Sequence, residues 1–285
     1  MKSLTKYLDE KLVIFPSQVN EKLVINKYYN DAMIRPKSFD ELRHIIRDRY
    51  NKLGPGTQQK PIDFNDIDVS DIHSFYNVNM NMGIFESTKF EYIDISDWDV
   101  SNAENMKYMF QDCTRLKSIG DLSDWNVSNV KDMNTMFYCC QHLTSIGDLS
   151  DWNVSNVEDM DYMFSECKQL KSIGDISDWD VSNVKDMGHM FSYCYNLKSV
   201  GDLSDWNVSN VKYMDDLFRE CVLLESIGNL SKWNVSRVED MSDMFGACEQ
   251  LKSVGDLSNW NVSRVRFMDG MFYGSGITNI PDWCK

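Results

Sequence analysis

Ser128-Asn-Val-Lys-Asp-Met-Asn-Thr-Met-Phe-Tyr-Cys-Cys-Gln-His-Leu-Thr-Ser-Ile-Gly-Asp-Leu-Ser-Asp-Trp-Asn-Val154 is one full period of this chain. Its tryptophan returns at Trp98, Trp125, Trp152, Trp179, Trp206, Trp233 and Trp260, always 27 residues apart and without an insertion. The same frame carries Phe110, Phe137, Phe164, Phe191, Phe218, Phe245 and Phe272, and the thiols Cys113, Cys140, Cys167, Cys194, Cys221 and Cys248. Thirteen of the 17 Met fall in two further columns, which makes Met a designated core residue here. Self-similarity at a fixed period of this size is the signature of stacked supersecondary units. One such unit cannot cover its own apolar faces, so stability comes from stacking, and the end units must be modified.

Both ends depart from the frame. At the front, Ile67-Asp-Val-Ser70 echoes Trp98-Asp-Val-Ser101 at a spacing of 31; at the back, Ser275 stands where a Cys is expected. We therefore divide 63–285 into an irregular first coil, 63–97, regular coils over 98–259, and a truncated last coil, 260–285. The expected fold class is α/β, a leucine-rich-repeat-like solenoid whose 27-residue coils each hold a short strand and a short helix, with a small N-terminal α+β or helical cap. Val130, Met133, Met136, Phe137 and Cys140 have helical spacing, with Ser128 placed to cap. Ser101 with Glu104, Ser155 with Glu158 and Ser236 with Glu239 read as capping boxes. The strand is expected within Leu143 to Val154.

Residues 1–62 differ in kind. They hold 12 Lys and Arg against 7 Asp and Glu, whereas the remainder holds 17 against 37. This charge break marks a basic N-terminal cap or docking module, with a linker at 54–62. Ser38-Phe-Asp-Glu41 is a capping box, Leu42, Ile45, Ile46 and Tyr50 form one helical face, and Gly54-Pro55 stops the helix. A first helix over Ser3 to Leu12 and short strands at the echoed Glu10 to Ile14 and Glu21 to Ile25 complete the expectation.

The string Met-Phe-x-x-Cys-x-x-Leu-x-Ser-Ile-Gly-Asp-Leu-Ser-x-Trp-Asn-Val-Ser-Asn-Val resembles the repeat of BspA-like leucine-rich-repeat surface proteins. It resembles especially the variant common in mycoplasma surface lipoproteins. Phe137, Cys140, Leu143 and Ile146, with their equivalents, carry the core of that motif. The resemblance covers roughly residues 64 to 283. It implies a non-enzymatic cell-surface role, in adhesion or in binding host or matrix proteins. The location is expected from the resemblance alone, because Met1 to Phe15 holds charged residues throughout and reads as neither secretory signal nor lipoprotein motif.

A net charge of −15 repels phosphate backbones and anionic lipid, so a nucleic-acid partner is disfavoured; no apolar stretch is long enough for membrane insertion. The four His share no column, and no nucleophile, phosphate-loop or paired-Cys motif is present, so no catalytic residue, cofactor or metal is expected. The Cys column reads as buried core thiols, with Cys139 and Cys284 exposed. The acidic columns beginning at Asp94 and Asp97 have two readings, turn formation by side-chain to backbone bonding and calcium binding, and turn formation is preferred. What varies between coils is the exposed part of the expected helix and the bend after it, from Lys107-Tyr108 to Asp269-Gly270. Tyr108, Tyr138, Tyr162, Tyr193, Tyr195, Tyr213 and Tyr273 scatter there and are the candidate contact residues for a protein or glycan partner. An alternative is a structural component of a cell-envelope or virion assembly, docked through residues 1–62.

Overall fold

The structure is a computed structural model, and it describes residues 33–285. The expected first helix and the echoed strands before residue 33 lie outside the described residues.

Each 27-residue unit forms one coil of a stacked column, and its backbone bonds show why the period is rigid. In the coil of Met106, alternate amides donate to the next coil: Met106 to Asp132, Tyr108 to Asn134, Phe110 to Met136 and Asp112 to Tyr138, at 2.8–3.1 Å. Met133, Thr135, Phe137 and Cys139 repeat this toward Asp159, Asp161, Met163 and Ser165 at 2.8–3.0 Å. On the extended side, Leu122 donates to Ile146, Leu149 to Ile173, Ile176 to Val200 and Leu203 to Ile227. Bonds in this direction are those of a parallel sheet, spent between coils instead of within them.

That expenditure corrects the expected helix. Residues 128–140 form successive tight turns, and the one α-helix among the described residues is α1, Phe39–Leu53. Met136 donates to Met133, Tyr138 to Thr135 and Cys140 to Phe137, three residues back and not four. Thr135 and Cys139 have φ of 60°, and their equivalents, from Tyr108 and Asp112 to Asp243 and Ala247, lie between 49° and 63°. A left-handed residue every fourth position stops a helix from propagating, yet returns residues 133, 136, 137 and 140 to the core with helix-like spacing. The expected capping serines are likewise turn residues: Ser101, Ser128, Ser155 and Ser236 donate their amides to Asp99, Asn126, Asn153 and Asn234 side chains. Glu104 and Glu158 instead bind Lys131 and Lys185 of the following coils.

The expected strand also shrinks. In the regular coils it is reduced to single parallel bridges such as Ser118 to Ser145 and Ser199 to Ser226, while a second series of bridges links Asn105, Asp132, Asp159, Asp186, Tyr213, Asp240 and Phe267. Among the described residues, paired strands occur only at the front. There β1, Ile62–Asp63, runs parallel to β4, Ile93–Asp94, and β2, Tyr76–Asn77, forms a hairpin with β3, Met82–Gly83. The hairpin explains the irregular spacing. Phe75 takes the place of Met106 and Phe85 that of Phe110, so the extra residues between them are looped out as β2 and β3.

Side chains continue the ladders. Phe85 to Phe272 form one stack with centroids 5.1–6.3 Å apart. Every Trp from Trp98 to Trp260 is buried and donates its Nε1–H to a carbonyl of the preceding coil at 2.8–3.3 Å. Each ladder Cys is buried and free, its Sγ 2.9–3.2 Å from a carbonyl of the coil before. Burying an indole or a thiol in an apolar core is tolerable because its one donor is satisfied. Burial pushes Cys194 and Cys248 up to about 12, which keeps them protonated and unreactive while folded.

The glycine in each Gly-Asp pair is required twice. Gly174 has φ of 91°, and a Cβ there would lie 1.8 Å from Asp148 Oδ1 of the preceding coil. That carboxylate is fixed because its Oδ1 also accepts the Ser150 amide at 3.1 Å. The same two-residue turn recurs at Asp94, Asp121, Asp175, Asp202 and Asp256, which is the turn role preferred for this column.

Helix α1 lies over the front of the column. Ser38 accepts the Glu41 amide at 3.2 Å, and Leu42 and Ile46 are fully buried in the same continuous core that extends to Ile277. Arg43 donates to the carbonyls of Gly83 and Ile84 at 2.7 Å, and Arg49 grips both oxygens of Asp66 at 2.6 and 3.1 Å. Residues 54–62, the expected linker, are bonded to the column: Pro55 accepts from Glu91 and Tyr92, and Ile62 donates to Tyr92.

Candidate functional site

The turn face is the part of each coil whose sequence varies, because its backbone bonds to neighbouring coils and many of its side chains reach solvent, although Asn134, Thr135, Ser165 and Ser192 are buried. In residues 132–243 it is lined by Asp132, Asp159, Asp161, Asp186, Asp215, Asp216, Asp240 and Asp243, all partly exposed. The first of these positions in each coil turns the chain: Asp132, Asp159, Asp186 and Asp240 accept the amide two residues on at 2.9–3.0 Å.

At the centre stands His189, one of the left-handed residues, with φ of 55°. Its ring stacks on Tyr162 of the preceding coil, centroids 4.1 Å apart and planes 12° from parallel. Nε2 is 3.0 Å from Asp216 Oδ2, and Asp216 is held in turn by Arg219 at 3.1 Å. Arg219 also reaches Asp243 at 3.3 Å. Nδ1 faces Asp215 Oδ2 at 3.4 Å and Asp161 Oδ1 at 3.7 Å. Two carboxylates from the flanking coils and one from the next turn position thus surround a single imidazole.

The electrostatics follow from crowding. Asp186 is pushed up to about 7, chiefly by burial, with the charges of Asp161, Asp159 and Asp215 adding to it. Burial also raises Asp161 and Asp215. Burial by itself would lower His189, but Asp161, Asp216 and Asp215 override it and bring it up to about 9. Asp216 goes the other way: burial opposes ionisation, and the bonds from His189 and Arg219 win.

The candidate tyrosines fall on this face in pairs and singly. Tyr138 meets Tyr162 edge-on at 5.5 Å, which joins it to His189, and Tyr193 meets Tyr195 at 6.2 Å. Tyr108 meets Tyr76 of the front hairpin at 5.5 Å. Lys107 lies over Tyr108, Lys168 over Tyr195 and Arg219 over Tyr193, at 4.9–5.9 Å. Tyr213 and Tyr273 are exposed, at 41 % and 81 %. The structure therefore brings Tyr138 and Tyr162 together, and Tyr193 with Tyr195, but not all seven. The His189 cluster was not visible as a column of like residues, because it assembles one His with carboxylates from three coils. The signal that could have found it is the contrast of Gly188-His189 with the Asp-rich pairs at 161–162 and 215–216.

Fold and turn face together define a repeat solenoid with a continuous aromatic core and a variable acidic face. The chain belongs to the family described as "Mycoplasma protein of unknown function, DUF285", whose profile matches residues 57–173, 140–250 and 200–283. Among solved structures, it is similar to a leucine-rich repeat protein from Eubacterium ventriosum, with 15 % identity and a TM-score of 0.38, over 76 % of this chain and 77 % of that one. It is also similar to a T. pallidum leucine-rich repeat protein, with 18 % identity and a TM-score of 0.26, over 48 % of this chain and 73 % of that one. No curated protein matches it. Among the described residues, no helix is long and apolar enough to cross a membrane.

Proposed function

We propose that this chain is a non-catalytic interaction protein whose rigid column presents the turn face to a protein or glycan partner. The observation that carries this reading is the division of labour within the coil. Core positions repeat almost unchanged, while side chains free of packing duty gather on one face and include ring pairs such as Tyr138 with Tyr162 and Tyr193 with Tyr195. Tyr supplies large, stiff contact area at low entropic cost, which suits recognition by area and repetition. The resemblance to BspA-like surface repeats supports a role in adhesion at a cell surface. Residues 38–53 are read as a cap, since the apolar face of α1 is occupied by the first coil. This favours the interaction reading over docking of an assembly component through residues 1–62.

The test is binding of the full chain to immobilised matrix proteins and glycans, compared with a variant carrying Tyr138→Ser, Tyr193→Ser and Tyr195→Ser. We expect bound ligand to fall at least tenfold with the melting temperature held. Unchanged binding by the triple variant would remove the turn face from the account.

A further inference from the structure

We propose that the back edge of the turn face, at residues 268–274, is a docking site for a short acidic and apolar segment of a partner protein, which takes the place of a next coil. This surface lies at the end of the column, apart from the ring pairs at 138–195, and does not depend on them. It follows from the direction of the backbone bonds. In six successive coils, four alternate amides donate toward the back, from Met106, Tyr108, Phe110 and Asp112 to Met241, Asp243, Phe245 and Ala247. The carbonyls that receive them face the front: Phe267, Asp269, Met271 and Tyr273 accept from Met241, Asp243, Phe245 and Ala247 at 2.7–3.0 Å. In the last coil the amides of Met268, Gly270, Phe272 and Gly274 hold the same donor positions, and none of the described residues accepts from them. An edge that offers backbone donors in a row is a template for another chain.

The two edges of the column are therefore of opposite sign. Bonds aligned in one sense add their dipoles, as in a helix, and leave partial positive charge at the amide end. The front shows how the chain meets the other end. The Ile84 carbonyl, in the place of Met109, faces forward and accepts from the Arg43 guanidinium at 2.7 Å, as does the Gly83 carbonyl. A cation closes the acceptor edge, so an acceptor of negative charge suits the donor edge. Side-chain charge agrees. Residues 260–285 hold Arg264, Arg266 and Lys285 against Asp269 and Asp282, whereas residues 233–259 hold two basic residues against five acidic ones. A second copy of this chain does not fit, because its back edge offers the same donors and its front acceptors are taken by Arg43.

The interior coils show what such an edge holds. The amides of Met214, Asp216, Phe218 and Glu220 bind the carbonyls of Asp240, Ser242, Met244 and Gly246 at 2.8–3.1 Å. The segment concerned, Glu239-Asp-Met-Ser-Asp-Met-Phe-Gly-Ala247, is acidic at three positions and buries Met241, Met244 and Phe245. Its pattern Asp-Met-x-x-Met-Phe also begins at Asp132, Asp159 and Asp186. For the apolar side chains of an incoming segment, a groove of about 500 Å³ runs beside the free amides, lined by Met268, Met271, Phe272, Tyr273, Ile280 and Trp283. Trp283 replaces the next coil on the tryptophan side alone. Both left-handed positions of the last coil are glycine, Gly270 and Gly274, where the regular coils carry side chains. Two of the four amides thus admit close approach of a second backbone.

The experiment is fluorescence-anisotropy titration of the full chain against a dye-labelled synthetic peptide, Glu-Asp-Met-Ser-Asp-Met-Phe-Gly-Ala with both ends blocked, followed by amide hydrogen exchange of the complex. One peptide is expected to bind per chain, and exchange at Met268, Gly270, Phe272 and Gly274 should slow at least tenfold. That readout uses the wild-type chain and is independent of how well any variant folds. Arg264→Glu combined with Arg266→Glu should weaken binding at least tenfold, as should replacing both Asp of the peptide by Lys or scrambling its order. The Tyr138→Ser, Tyr193→Ser and Tyr195→Ser variant should bind the peptide as the wild type does, which separates this proposal from the turn-face reading. Absence of saturable binding at about 1 mM peptide overturns the proposal. So does binding that leaves the four amides exchanging freely, equal binding of the scrambled peptide, or self-association that protects these amides without peptide.

Discussion

The two ends of the column are closed by different means. At the front the Phe stack is broken off: Phe64, Phe85 and Phe90 meet edge-on at 5.6–6.2 Å, Tyr50 of α1 meets Phe90 edge-on at 5.0 Å, and Leu42 and Ile46 are fully buried over them. A helix satisfies its own backbone, so it can end a ladder without leaving amides unpaired. At the back the ladder is continued instead. Trp283 stacks on Trp260 at 6.2 Å and donates to Leu257 at 3.1 Å, imitating the next coil with one ring. The imitation is partial: Val262, Val265 and Met268 are only half-buried, whereas their equivalents Val235, Val238 and Met241 are buried. The difference teaches that burial in this fold is supplied by neighbours, and that the back coil has one neighbour fewer.

The largest expected effect breaks the front. Ile46→Asp puts an unpaired carboxylate under the helix and should cost more than about 4 kcal/mol, enough to detach α1 and the first coil from cooperative unfolding. Circular dichroism melts should then show two transitions or a much broader one. A single transition with a near-native midpoint would mean that α1 does not seal the column. The matching change at the back, Trp283→Ala, removes a half-buried ring and should cost about 1–3 kcal/mol. A loss as large as that of Ile46→Asp would erase the asymmetry.

A smaller effect grades the coils between. The ladder thiols are buried, so labelling proceeds through local opening. With opening easiest at the back, Cys248 should label at least tenfold faster than Cys113, though each lies in the outermost coil of its end that carries a ladder Cys. Half-exposed Cys139 and Cys284 should react first. Mass spectrometry of pulse-labelled peptides gives the order, and equal rates for Cys113 and Cys248 would count against end-specific opening.

Much of this was legible in the sequence, and the failures have one cause. The Trp, Phe and Cys columns read as core and are core, because a 27-residue identity fixes burial whatever the local conformation. Helix α1 was legible from Ser38, its apolar face and Gly54. The short helix in every coil was misread because apolar residues at 133, 136, 137 and 140 fit a helix and a run of tight turns equally well. Glycine, the usual mark of a left-handed residue, stands at these positions in the last coil, as Gly270 and Gly274, but Tyr108, Thr135, Tyr162 and His189 hold φ of 55–60° without it. The cross-coil bonds stabilise what local preference disfavours. The seven tyrosines were named one by one, while their pairing depends on which coil lies beside which.

The smallest effect would sharpen the contrast by repairing the back. Asn102, Asn129, Asn156, Asn183 and Asn210 each donate Nδ2 to a seryl carbonyl of the preceding coil at 2.7–2.9 Å, forming an amide ladder along one edge. At the next two rungs the sequence has Arg237 and Arg264. Arg237 turns instead to the side chain of Asn210, at 2.6 Å. Arg237→Asn would exchange that exposed contact for a bond to the Ser209 carbonyl and extend the ladder one coil. A net hydrogen bond is worth about 0.5–1.5 kcal/mol, and part of it is offset by the lost arginine contact. The expected gain is about 0.5 kcal/mol, read as a small rise in denaturation midpoint with unchanged slope and as slower labelling of Cys248. Because the substitution acts on the back alone, the labelling rate of Cys113 should stay where it was. A gain in midpoint with no change at Cys248 would place the weak end elsewhere than in the last coils.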